Sequence, residues 1–159
     1  MEYMGNSTWW NERFKSQTLD RMAHEQRLEK DIKYFKIQGK LLDLACGDGR
    51  NAIYLSKLGY EVTAVDFSKE ALNRLKFFME EEKVFIKTKS MNLSKVNNLD
   101  GFDQFDGILI NHYRLEPKLY MDLMKHLKQD GVLWVNGFCE IPYENYHYNS
   151  TYTIDSSYA

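Results

Sequence analysis

The sequence predicts a single α/β domain: an open, mainly parallel sheet with helices on both faces. Three observations predict it. Between residues 40 and 138, apolar runs of strand length alternate with segments of helical period. Elements that alternate in this way pack as parallel strands joined by right-handed crossovers. A turn with glycine at 47 and 49 separates the first strand from the first helix, where small residues let the backbone turn sharply. The length of 159 residues suits one domain of typically about 100–150 residues.

Residues 1–37 are polar and mixed in charge, with Trp9-Trp10 near the start. Leu19, Met22, Leu28, Ile32 and Phe35 recur mostly at spacings of three to four, although Gln26 and Arg27 interrupt them. That spacing predicts a helix from about Thr18 to Phe35. Lys40-Leu41-Leu42-Asp43-Leu44-Ala45 reads as a buried strand, ended by Cys46-Gly47-Asp48-Gly49. The next helix runs through Ala52, Leu55 and Leu58 to Gly59, a residue that accepts the left-handed cap. Tyr60-Glu61-Val62-Thr63-Ala64-Val65 is the second strand, stopped by Asp66. Ser68 caps a helix with Ala71, Leu72 and Leu75 on its inner face. Val84-Phe85-Ile86-Lys87-Thr88 is the third strand and Phe105-Asp106-Gly107-Ile108-Leu109-Ile110 the fourth. Pro117 opens a helix carrying Leu119, Leu123, Met124 and Leu127. Gly131-Val132-Leu133-Trp134-Val135 is the fifth strand, with Trp134 in the core. Residues 139–159 hold no Lys or Arg and five of the 11 tyrosines. Their character suits β structure, or a segment ordered against a partner.

Charge narrows the function classes. Lys plus Arg number 21 and Asp plus Glu 23, for a net charge of −2, and the pI is about 6.1. Nucleic-acid binders usually carry a basic patch or a pI above ~9, so nucleic acid is not favoured. No apolar run approaches the ~18 residues of a membrane span, and the first residues lack the pattern of a secretory signal. Cys46 and Cys139 stand far apart, with no CxxC and no His pair. A cytoplasmic setting is expected.

The chemistry concentrates in Leu42-Asp43-Leu44-Ala45-Cys46-Gly47-Asp48-Gly49-Arg50-Asn51. Helix N-terminal amides beyond such a turn offer hydrogen bonds to a carboxylate or phosphate. Asp66 follows Gly49 by 17 residues, at the end of the next strand. An acid about 20 residues beyond the turn typically grips ribose hydroxyls in open α/β sheets. Together the two signals point to a nucleoside ligand.

Four stretches carry a family resemblance: Asp43-x-Ala45-x-Gly47-x-Gly49, Asp66, Phe105-Asp106-Gly107-Ile108-Leu109, and Leu127-Lys128-Gln129-Asp130-Gly131-Val132-Leu133. They resemble the successive motifs of Rossmann-like class I S-adenosylmethionine-dependent methyltransferases. Cys46-Gly47-Asp48-Gly49-Arg50-Asn51, with Tyr54-Leu55 and Gly59-Tyr60-Glu61-Val62, is similar in particular to the small tellurite-resistance-like branch. The resemblance covers residues 38–138. It leaves residues 1–37 as an N-terminal helical lid and residues 139–159 as a tyrosine-rich tail.

The resemblance implies S-adenosylmethionine as cofactor and a small-molecule methyl acceptor. Ala45, Cys46 and Gly47 would pass beside its methionine part, with Asp43 near the amino group. Gly49 would permit the close helix start, with Asn51 in the same binding stretch. Asp66 would take the ribose hydroxyls and Phe67 would lie against the adenine, which Met91 and Asn92 would flank. The family often has Asp where Asn92 stands, and an Asn there still accepts through its side-chain oxygen. Asn111 would sit closest to the sulfonium. Trp10 and Arg13 belong to a Trp/Tyr segment that folds over the cofactor in many members, or else pack the first helix onto the sheet.

His112 lies where the active-site mouth is expected and is the candidate base, against a purely structural role. His24 and His126 read as helix-surface residues, and Cys46 as packed within its turn. No Asn/Asp-Pro-Pro-Tyr motif marks amino-group methylation of bases, and nothing resembles a metal site. Two other readings stay open. Gly47-x-Gly49-x-x-Ala52 also meets the looser dinucleotide fingerprint of an NAD(P) oxidoreductase, although Asp43, Ala45 and Asp130-Gly131 follow the methyltransferase manner. The family sheet has seven strands, and only 21 residues follow Phe138. The C-terminal strands are therefore expected to be abbreviated. Either the tail supplies one or two short strands, or an open edge pairs with another copy of the chain. A cofactor-binding or interaction module without turnover is the corresponding functional alternative.

Overall fold

The computed structural model describes residues 5–138 and 151–153. Among these described residues six strands form one sheet: β1 (Lys40–Leu44), β2 (Glu61–Asp66), β3 (Lys87–Ser90), β4 (Phe105–Asn111), β5 (Leu127–Phe138) and β6 (Thr151–Thr153). Their order is β3-β2-β1-β4-β5-β6. The first five are parallel, and β6 runs antiparallel to β5. The helices are α1 (Ser7–Ser16), α2 (Gln26–Asp31), α3 (Arg50–Lys57), α4 (Lys69–Glu82) and α5 (Pro117–Met124). Among the described residues no helix is long and apolar enough to cross a membrane.

Both faces of the sheet are buried, which explains why the central strands read as continuous apolar runs. Successive strand residues point to opposite faces. Leu41, Val62 and Leu109 accordingly join Leu28, Leu55, Leu75 and Trp134 in one core. Their neighbours Leu42, Val65, Ile108 and Ile110 join Leu99, Leu119 and Leu123 in the other. The expected caps form: the Ser68 hydroxyl accepts from the Ala71 amide at 3.1 Å, and Pro117 occupies the first turn of α5. Gly59 takes a φ of 92° after α3.

The structure moves three predicted elements. The helix expected from Thr18 to Phe35 does not form as one piece. Asn6 caps an earlier helix, α1, by accepting from the Trp9 amide at 2.9 Å. Residues 17–25 then run without regular structure before α2 and a short 3₁₀ turn at Ile32–Tyr34. The reason is where the side chains find partners. Leu19 and Met22 remain exposed, while Arg21 reaches Glu82 at 2.7 Å and the His24 ring stacks on Tyr54 at 3.7 Å. His24 and His126 therefore lie in connections, not on helix surfaces; His126 sits in the turn between α5 and β5. The third strand begins at Lys87, not Val84, although Ile86 just before it is buried. The fifth spans Leu127–Phe138 because pairing with β4 starts at Phe105↔Leu127 and resumes at Gly107↔Val132. The extra residues form a bulge in which Asp130 has a φ of 62°.

Trp134 is buried as expected, and its indole also donates to Asp31 Oδ2 at 3.0 Å. Arg27 Nε donates to the same oxygen at 2.9 Å. Removing one donor from a buried charged acceptor costs about 1–3 kcal/mol. Trp134→Phe should therefore lower stability by about that amount in urea denaturation, and an unchanged midpoint would count against the bond.

Candidate functional site

The order β2-β1-β4 makes β1 the switch point of the sheet: one connection from its tip leads to β2 and the chain later returns to β4 on its other side. Loops that diverge at the carboxyl end of such a strand leave a crevice where ligands bind. The turn after β1 lies in that crevice. Ala45, Gly47 and Gly49 have φ values of 54°, 58° and 83°, so left-handed residues alternate with ordinary ones. The coil is held by Cys46 N–H donating to the Val65 carbonyl and Gly49 N–H donating to the Cys46 carbonyl, both at 3.0 Å. A Cβ on Gly49 would run into Leu75, and one on Gly47 would stand 3.4 Å from the Phe14 ring.

Two carboxylates face this turn from the strand tips. Asp66, the last residue of β2, accepts from the Gly47 amide through Oδ2 and from the Ser68 amide through Oδ1, each at 2.8 Å. Burial pushes its carboxyl up, and the Ser68, Gly47 and Phe67 amides oppose the shift. Asp43 in β1 is 1% exposed. Its Oδ2 is buried and has no hydrogen-bond partner among the described residues. Burial, then the Asp66 charge, push its pKa up to about 7, with Arg50 opposing. A third acid, Asp48, is buried in an ion pair with Arg74 at 3.2 Å. The Cys46 thiol is pushed far up by burial and these acids. It donates to the Gly47 carbonyl, which leaves it packed in the turn with none of the thiolate character a nucleophile needs.

At the β4 tip the structure brings together residues far apart in sequence. Glu25, just before α2, receives the Arg50 guanidinium at 2.5 Å, His112 Nε2 at 2.9 Å and Asn111 Nδ2 at 3.5 Å, all on Oε1. Its own amide donates to Asn51 Oδ1 at 2.9 Å. Asn111 in turn accepts from Asn136 Nδ2 at 2.8 Å. The His112 amide donates to the Asn136 carbonyl at 2.7 Å, with His112 at a φ of 53°. Sequence reading missed Glu25 and Asn136. Glu25 carries no motif, and its partners at the β4 tip lie 86 and 87 residues away.

The other predicted positions lie beyond β2 and β3 and on α1. Phe67 and Met91 are half-buried beyond β2 and β3, and the Met91 amide donates to the Asp66 carbonyl at 3.0 Å. Asn92 Oδ1 is turned onto Ser94, accepting from its amide at 3.1 Å and its hydroxyl at 2.7 Å. Helix α1 packs on α4, where Asn11 Oδ1 accepts from the Ser68 hydroxyl at 2.7 Å. Trp9 and Trp10 meet edge-on at 4.8 Å with the Arg13 guanidinium over both rings. A separate cavity of about 270 Å³, lined by Lys40, Lys87, Lys89 and Phe102, lies at the opposite, amino ends of the strands.

The family model described as tellurite resistance protein TehB matches residues 11–133. The chain belongs to the TehB family. A Haemophilus influenzae (strain ATCC 51907) relative named "Probable S-adenosyl-L-methionine-dependent methyltransferase TehB" is 39% identical over 96 residues, covering 58% of this chain and 33% of its own. A Geobacillus sp. (strain WCH70) protein with a provisional methyltransferase name is 29% identical over 143 residues, 84% of this chain and 56% of its own. The crystal structure of TehB from Haemophilus influenzae superimposes with a TM-score of 0.62 at 23% identity, covering 80% of this chain and 45% of that one. This chain thus spans about a third to just over half the length of these relatives. Membership of the TehB family and the superposition on the H. influenzae structure bear out the expected Rossmann-like fold.

The buried acid gives a pH signature. Asp43 ordinarily titrates at 3.8 and here at about 7, so the folded state holds its proton more tightly than the unfolded state. The stability it contributes is complete below 3.8 and is lost as pH rises through about 7. Asp43→Asn should remove that part of the slope. Melting temperatures of both proteins across the range should converge at acid pH and separate above neutrality, the variant being higher; parallel curves would contradict this.

Proposed function

We propose that the chain binds S-adenosylmethionine across the tips of β1 and β2 and methylates a small molecule. One juxtaposition carries the reading. The Gly47 amide, the Asp66 carboxylate and the partnerless Asp43 Oδ2 meet at the switch point of the sheet. The residues suit the cofactor. A carboxylate offers about four lone-pair positions, so Asp66 accepts ribose hydroxyls while keeping its two amides. Asp43 Oδ2 lacks the partner that an ammonium would supply. Ala45, Cys46 and Gly47 present main chain to the methionine arm, and Gly49 brings the start of α3 close.

Phe67 and Met91 would flank the adenine. In this arrangement Asn92 holds its own turn through Oδ1, which leaves its amide nitrogen as the group available to the base. Asn51 and Asn111 act from the Glu25 network beside the pocket, and Trp10 and Arg13 from α1 above it. His112 at the β4 tip is the proposed base for an acceptor that must lose a proton.

The bound cofactor supplies a methyl group already activated on a sulfonium. The protein's share is to hold donor and acceptor in line and keep water out, which is sufficient for a large rate effect. The sugar-binding acid and the bare turn are built by this chain's own strands, and the H. influenzae TehB relative supports the donor assignment by its name.

Calorimetry with S-adenosylhomocysteine should give saturable heat, and NAD(H) none. Heat with NAD(H) alone would overturn the assignment in favour of the dinucleotide reading. Asp66→Ala should weaken S-adenosylhomocysteine binding by about 1–3 kcal/mol through lost charge-assisted hydrogen bonds. Unchanged affinity would mean the sugar lies elsewhere.

A further inference from the structure

The turn after β3 commits the polar atoms of one side chain assigned to the base. Asp66 pairs with Ser90 in the β2–β3 register, and the Met91 amide donates to the Asp66 carbonyl at 3.0 Å. The chain therefore leaves β3 beside the strand tip that carries Asp66. Asn92 closes the turn that follows. Its Oδ1 accepts from the Ser94 amide at 3.1 Å and from the Ser94 hydroxyl at 2.7 Å. Its main-chain carbonyl accepts from the Lys95 amide at 3.0 Å. Leu93, inside the turn, is buried in the core that holds Leu42, Val65 and Leu99, so packing anchors the turn as well. A backbone N–H aimed at one end of a carboxamide requires the oxygen there, which fixes the orientation of Asn92. A carboxamide oxygen has two lone pairs, and Ser94 engages both. Nδ2, with two N–H donors, is what remains for a ligand.

We propose that Asn92 is a specificity-determining residue that reads the purine as a hydrogen-bond acceptor, so the site takes a 6-oxo purine nucleoside as well as an adenine one. The inference rests on the cofactor reading above and adds which bases that site accepts. Adenine presents N1 as an acceptor next to its exocyclic amino donor. Hypoxanthine presents O6 as an acceptor next to an N1–H. A donor at position 92 finds a partner on either base. A carboxylate at the same position would behave differently, because it has two oxygens. One could keep the Ser94 donors while the other accepted the adenine amino group and repelled the hypoxanthine oxygen. A site built to hydrogen-bond one group of its ligand rejects an analogue lacking that group by about 10⁴-fold or more. Asn92 has a single acceptor, and the turn uses it, so this side chain does not impose that rejection.

The test compares S-adenosylhomocysteine with S-inosylhomocysteine, its 6-oxo counterpart, by calorimetry in wild type and in Asn92→Asp. Wild type should bind the two within about tenfold of each other. Asn92→Asp, whose fold is checked by its melting curve, should widen the preference for S-adenosylhomocysteine by at least about tenfold, through a charge-assisted bond to the amino group. A second measurement needs no variant: the Asn92 carboxamide signals of wild type, assigned by heteronuclear NMR, should shift on saturation with either ligand. A wild-type preference well above tenfold would overturn the proposal. So would a folded Asn92→Asp with an unchanged preference, or carboxamide signals that stay in place. Absence of S-adenosylhomocysteine heat in wild type would instead remove the cofactor reading beneath it, so the two failures are told apart.

Discussion

One contact organises the carboxyl end of the sheet: the Asp66 carboxylate accepting the Gly47 amide at 2.8 Å. It ties the tip of β2 to the turn that leaves β1. The turn needs such a tie, because Ala45, Gly47 and Gly49 all sit in left-handed backbone. For the alanine that conformation costs roughly 1–2 kcal/mol. The other Asp66 oxygen accepts from Ser68, whose hydroxyl caps α4 and bonds Asn11 of α1. Turn, strand tip, helix start and N-terminal helix are therefore set by one side chain and its neighbour. That carboxylate accepts one amide on each oxygen and so fixes both segments at once.

Three acids gather at this end in little water, and each is managed differently. Asp48 is neutralised by Arg74. Asp66 is compensated by backbone amides. Asp43 has an oxygen with no partner among the described residues and responds by holding its proton to about pH 7. Buried charge without a partner is costly, and retention of the proton is how Asp43 avoids that cost beside the turn. Proteins tend to keep local departures from good hydrogen bonding where they bind something.

The N-terminal segment completes the crevice by electrostatics more than by apolar packing. Helix α1 has no fully buried residue, and residues 17–25 have no regular structure. What fixes them is a set of polar anchors at Arg21, His24 and Glu25, reaching Glu82, Tyr54 and the β4 tip. Glu25 spends one oxygen on three donors. The β4 tip is thereby tied to a residue remote in sequence from the turn after β1.

The parallel sheet, its order of elements, the glycine turn and the acid at the next strand tip were legible in the sequence. Each depends on local periodicity, on backbone conformations few residues accept, or on a short spacing along the chain. Asp43, Gly47, Gly49 and Asp66 could be paired on that basis. The break in the N-terminal helix was not legible, since apolar spacing cannot register that Arg21 and His24 find better partners across space than a helix would give them. Nor could the sequence show that Asn92 closes its own turn, or that Asn111 and His112 are held from Glu25. Those arrangements come from side chains that meet only after β1, β4 and β5 have paired. Local pattern determined the glycine turn and the acid that faces it; tertiary contact decided which side chains meet at the β4 tip, because a carboxylate's partner is chosen by distance in space and not by distance along the chain.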